Sequence, residues 1–158
     1  MKLRCASVAC GAVLVTLAGS PSRAQAPAQS PTYIQWSVTG TATASGRDEA
    51  ILCSPTSEGG LTIHSMGNWV FDFESPSKVP GEVDSPIRIA APASVAALHD
   101  TNIRTDDHLT GRAKLVIASG GRGQGGIPLL RIRFTATGLR SETGANGSAT
   151  GSMVCPLM

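Results

Sequence analysis

Leu61-Thr62-Ile63-His64-Ser65-Met66-Gly67-Asn68-Trp69-Val70-Phe71-Asp72-Phe73 is the stretch that decides the fold. Leu61 and Ile63 alternate with polar residues before Met66-Gly67-Asn68, and Trp69, Phe71 and Phe73 alternate after it. Period-two alternation on both sides of a glycine-containing turn is the signature of an antiparallel hairpin. A two-residue Gly67-Asn68 turn would set Leu61 and Ile63 on the face opposite the aromatics. A three-residue loop, 66–68, pairs Ser65 with Trp69, Ile63 with Phe71 and Leu61 with Phe73. A one-residue slip sends every side chain to the other face, and only the second register makes one apolar face. That register is therefore expected, with His64 outside, diagonal to Asp72.

The same alternation extends outward along the chain. Ile34, Trp36 and Val38 predict a strand over 33–44, bulged at Gly40. Ser45-Gly46-Arg47-Asp48 reads as a turn into a strand over 49–54 that carries Ile51 and Cys53 on one face. Residues 75–86, with Pro76, Pro80-Gly81 and Pro86, read as a loop with a type II turn at Pro80-Gly81. Ile87-Arg88-Ile89 follows as a short strand. Pro92 suits the first turn of a helix over 92–99, and residues 100–111 read as polar loop. Ala113, Leu115 and Ile117 pair in a second hairpin with Leu130, Ile132, Phe134 and Ala136 across a glycine-rich tip, and 150–155 forms a last strand. The expected fold is all-β: a small antiparallel β-sandwich or barrel of seven to eight strands with one short helix near 92–99. Parallel α/β architectures are excluded, because their strands are apolar on both faces.

The N-terminus has a separate logic. Met1-Lys2-Leu3-Arg4, an apolar run of about 14 residues from Cys5 to Ala18, and small residues ending Ser22-Arg23-Ala24 make the three-part layout of a secretory signal peptide. The run is too short to cross a hydrocarbon core of roughly 30 Å. Leu17-Ala18-Gly19-Ser20 resembles a bacterial lipobox with serine in place of the lipidated cysteine. The domain expectation is thus a signal peptide at 1–24, a Pro/Ala/Ser/Gln-rich lead-in at 25–32 and one β-domain at 33–158, periplasmic or secreted. The chain of 158 residues carries a formal net charge of +2. Loss of Lys2, Arg4 and Arg23 leaves ten Lys and Arg against 11 Asp and Glu, so the mature charge is −1. The apparent basicity belongs to the targeting segment and makes no case for nucleic acid. Of four cysteines only Cys53 and Cys155 survive cleavage, and in an oxidising compartment they predict one disulfide closing 102 residues.

Several constellations bear on chemistry. Gly121-Arg122-Gly123-Gln124-Gly125-Gly126 contains GxGxxG, but Pro128 and an alternating run follow where a dinucleotide fingerprint needs a helix N-terminus to hold the pyrophosphate. It reads as a hairpin tip. His99, Asp100, Asp106, Asp107 and His108 bracket one loop and include donors suited to a divalent cation, without a spacing that fixes them together. His64 and Met66 are a thinner set for copper. GxSxG and HExxH are missing, so the chain is expected to be no enzyme, and no cofactor is expected. Arg131 and Arg133 project from one strand, with Arg112 and Lys114 on the next and Arg122 at the tip: a basic stripe without interleaved aromatics. The expected partner is a protein or cell-envelope surface, with neither nucleic acid nor a membrane span. The expected role is a non-catalytic, inhibitor-like binding module; the alternatives are a periplasmic divalent-metal-binding protein and a hydrolase without a recognisable motif.

Overall fold

The computed structural model describes residues 32–49, 51–92, 94–95 and 108–157. Nine strands follow in chain order: β1 Tyr33–Gly40, β2 Ala44–Asp48, β3 Ile51–Pro55, β4 Leu61–Ser65, β5 Val70–Ser75, β6 Gly81–Ala90, β7 His108–Arg122, β8 Pro128–Arg140 and β9 Asn146–Pro156. They form one antiparallel sheet in the order β2-β1-β9-β8-β7-β6-β5-β4-β3. The two strands at the ends of that order, β2 and β3, are separated by only residues 49–50. The chain thus runs as a meander around a nearly closed barrel, and β9 pairs back onto β1 (Ile34 opposite Met153, Trp36 opposite Gly151). Cys53 on β3 is bonded to Cys155 on β9, clasping the seam with sulfurs on residues 2% and 0% exposed.

The inward positions of successive strands form a single core. Ile34, Leu61, Ile63, Phe71, Phe73, Leu115, Ile132, Phe134 and Met153 are all buried. Five aromatic rings stack through its middle. Trp36 lies 5.4 Å from both Trp69 and Phe71, Phe71 lies 6.0 Å from Phe134, and Phe134 meets Phe73 edge-on at 5.0 Å. The sheet makes room for the rings with glycine. One inward rung reads Phe134, Gly151, Trp36, Gly46 across β8, β9, β1 and β2. A Cβ on Gly151 would stand 2.5 Å from the Phe134 ring and 2.2 Å from the Gln35 carbonyl oxygen, and one on Gly46 would stand 2.7 Å from the Trp36 ring. Alternating large and absent side chains lets the rings interdigitate at interior density.

The all-β expectation holds, with nine strands instead of seven to eight. Ser45-Gly46-Arg47-Asp48 is not a turn but most of β2: Gly46 serves the Trp36 ring, and Asp48 accepts a 2.9 Å hydrogen bond from Trp36 Nε1. The 75–86 loop is also shorter than expected, because β6 starts at Gly81, opposite Ile117. Pro86 hid this strand. It stands just past the last β5–β6 pair, Phe73 with Ile87, an edge position that tolerates a missing N–H. Strand β7 likewise begins at His108, inside the expected polar loop, and β9 begins at Asn146. Among the described residues there is no α-helix. Pro92 and Val95 close a turn (Val95 N–H to Pro92 carbonyl, 2.9 Å), while residues 93 and 96–99 of the expected helix lie outside the described set. Residues 1–31 lie outside it too.

The deciding hairpin keeps its apolar face but shifts its register by two. Ile63 pairs with Phe73, Leu61 with Ser75, and His64 directly with Asp72. A two-residue shift preserves the parity of a strand, so the faces survive the error. The longer connection is held by Ser65, whose Oγ accepts from Phe71 N–H at 2.8 Å and donates to the Trp69 carbonyl at 3.2 Å. Trp69 is thereby folded back onto Trp36, and Gly67 lies against the Asp48 carboxylate, where a Cβ would have no room.

Two outcomes follow for stability. Gly151→Ala forces a methyl into the Phe134 ring and an overpacking cost of about 1–3 kcal/mol, read as a lower urea midpoint with an unchanged slope. Replacing Cys53 and Cys155 by serine releases a 102-residue loop, for which the chain-entropy model gives roughly 4–5 kcal/mol. Alkylation of the native protein without reductant should label neither sulfur.

Candidate functional site

Inward residues are consumed by packing, so chemistry is confined to the outer wall. Strand pairing maps that wall rung by rung. One polar rung crosses six strands: His64, Asp72, Arg88, Thr110, Arg140 and Asn146 on β4 to β9. His64 Nδ1 pairs with the Asp72 carboxylate, and both side chains are partly exposed. Arg88 Nη2 donates to His108 Nε2 at 2.5 Å. Beside this rung lies a shallow groove of about 500 Å³, lined by Thr62, His64, Asp72, Glu74, Arg88 and Thr110 among others. A second depression of about 460 Å³ is bounded by Thr56, Glu58, Glu74 and Pro76. Asp72 holds one imidazole nitrogen of His64 and leaves the other available for hydrogen bonding, an orienting contact that sets the tautomer.

The five residues of the expected metal loop are divided. His108 opens β7 and engages Arg88, whereas His99, Asp100, Asp106 and Asp107 lie outside the described residues. Among the described residues no three His, Cys, Asp or Glu side chains are grouped to hold a metal ion. Met66 is 59% exposed, on the loop beyond His64.

The basic residues are redistributed by the β7–β8 register. Lys114 pairs across to Thr135, Arg133 to Val116 and Arg131 to Ala118. The four cations are therefore staggered along the hairpin and do not stand side by side in a block. Lys114 is taken by Glu82, Nζ to Oε2 at 2.5 Å; this hydrogen bond, with the charge of Glu82, raises the lysine pKa above its usual value. Arg122 turns back on its own hairpin and donates from Nη1 to the Gly126 carbonyl at 3.0 Å. No ion pair among the described residues engages Arg112, Arg131, Arg133 or Arg140. On the far side of β9, the Arg47 guanidinium lies 3.9 Å from the centroid of the Tyr33 ring.

A division of charge emerges that single motifs do not show. Strands β7, β8, β9 and β1 contain no aspartate or glutamate, and β7 and β8 carry Arg112, Lys114, Arg122, Arg131, Arg133 and Arg140. The acids of the sheet's other half, Asp72, Glu74, Glu82 and Asp84, sit on β5 and β6. Arg140 was the residue missed from the stripe. The alternating run ends at Ala136, and only extension of β8 past the bulge between Ala136 and Leu139 places Arg140 on the wall. The fold and wall together define an all-β, disulfide-clasped, nearly closed antiparallel barrel with a charge-divided exterior. Among the described residues no helix is long and apolar enough to cross a membrane. In comparisons with known proteins the chain matches no family model, no curated protein and no solved structure.

Proposed function

We propose that this protein is an exported, non-catalytic binding module that meets an anionic surface through the wall formed by β7, β8, β9 and β1. The observation that carries the reading is that these four strands carry no aspartate or glutamate of their own, and that of the β7 and β8 cations only Lys114 is met by a carboxylate among the described residues, Glu82 of β6. On a chain whose mature charge is −1, six of the ten cations lie on one hairpin. Such an arrangement raises the local concentration of an anionic partner and orients its approach, although the whole molecule is nearly neutral.

Export is supported by the N-terminal layout of the sequence and by the Cys53–Cys155 bond, which persists in oxidising compartments. The rigid barrel supplies the other requirement of a recognition surface. Side chains on paired strands are held in register, so binding costs less ordering entropy than it would on a loop. Nothing in this reading uses His64 and Asp72, which stand on the opposite half of the wall.

The test is co-sedimentation with washed bacterial envelope at low and high salt. The wild-type protein should pellet at low salt and be released as salt screens the contact. The triple variant Arg112→Ser, Arg131→Ser, Arg133→Ser should stay in the supernatant with an unchanged thermal midpoint. Equal pelleting of the triple variant, or no pelleting of the wild type at low salt, overturns the proposal.

A further inference from the structure

The cations on β7 and β8 are arranged as a file, not as a patch. Taken in order along β8, Arg122 stands opposite Pro128, then come Arg131 and Arg133, and Lys114 stands opposite Thr135. Arg112 follows in the bulge between the Thr110–Arg140 and Ala113–Ala136 pairs, and Arg140 ends the row. All six are exposed. Arg131, Arg133 and the Lys114–Thr135 position follow one another at two-residue steps of β8, or roughly 7 Å, and the Pro128–Arg131 step is three residues, or roughly 10 Å. The twelve steps from Pro128 to Arg140 make the file about 40 Å long.

We infer that this file is a track for a linear polyanion, specifically an extended anionic polysaccharide. The inference rests on the reading of the basic wall as the binding face and names what that face holds. Arginine predominates in the file, and its planar fork donates to carboxylate or sulfate oxygens two at a time. Hydroxyls flank the guanidinium groups: Thr110 on β7, Thr135 on β8, Thr150 and Ser152 on β9. These offer donors and acceptors to sugar hydroxyls between the charged groups.

The competing polyanions fit less well. Bases of a single-stranded nucleic acid need aromatic faces to stack on, and the one aromatic residue of β7 and β8, Phe134, is buried inside the barrel. A lipid surface is a plane and favours apolar side chains beside the cations. Of the exposed large apolar side chains among the described residues, Leu52, Met66 and Val79 belong to β3 and to loops of the other half, and only Ile127 lies near the file. An acidic folded protein presents its carboxylates as a compact patch, whereas the file needs them spread over its length.

The probe is heparin of graded chain length, titrated calorimetrically into the full mature protein at low salt. Affinity should rise with chain length until the chain spans about 40 Å, then level off. The Arg131→Ser, Arg133→Ser variant should bind at least tenfold more weakly, with a salt dependence shallower by about one to two units of log–log slope. The Arg112→Ser, Arg140→Ser variant, altered at the other end of the file, should do the same. Lys78→Ser, off the file, should bind like the wild type. A sulfated disaccharide binding as tightly as long chains, or full affinity in both double variants, overturns the track. Phosphatidylglycerol vesicles or a single-stranded oligonucleotide binding more tightly than heparin, with loss in the same variants, removes the polysaccharide but leaves the basic wall as the binding face. Failure of all three probes at low salt removes both.

Discussion

Contact between the aromatic rings and the glycines opposite them is the constraint on which the rest of the structure depends. A sheet of nine strands closes into a barrel only if its interior is filled without a clash. Here Phe134 and Trp36 are seated over Gly151 and Gly46, in one rung across four strands. The rings then reach Phe71, Phe73 and Trp69 on the facing side. The strands of the outer wall inherit their direction from this packing, because inward and outward positions alternate along them between the bulges of β7 and β8.

Closure of the seam is shared between covalent and non-covalent parts. The disulfide ties β3 to β9 near one end, and the β4–β5 loop lies across β2, with Gly67 against Asp48 and Trp69 against Trp36. Asp48 is a polar group on an inward position, and its hydrogen bond from Trp36 Nε1 satisfies it there. This arrangement shields the strands β2 and β3, which would otherwise be open edges inviting another chain.

The exterior shows how a nearly neutral protein can carry a directional surface. Its charges are sorted by strand, acids on β5 and β6 and bases on β7 and β8, with Lys114 and Glu82 meeting where the two halves touch. That ion pair is fully exposed and contributes little to stability. Its consequence is local: it neutralises the middle of the cationic file, while the arginines on either side have no ionic partner among the described residues. The His64–Asp72 pair lies on the acidic half, at the far side of Arg88.

Alternation of apolar and polar residues by itself determined that this chain is all-β and which faces of Leu61–Phe73 and Leu130–Ala136 are buried, while the placing of Cys5 and Cys10 in the N-terminal apolar run left Cys53 and Cys155 as the pair to be bridged. Parity is a local property, so a two-residue error in the β4–β5 register left those faces intact. What the linear pattern did not disclose were strands whose markers had a second use. Gly46 reads as a turn but clears space for a ring from another strand, and Pro86 reads as a breaker but stands where a ladder ends. The order of the strands, the return of β9 onto β1 and the single file of cations were decided only by tertiary structure. Each depends on register between segments distant in sequence, and register is set by side chains meeting across strands, as Phe134 and Trp36 do over Gly151.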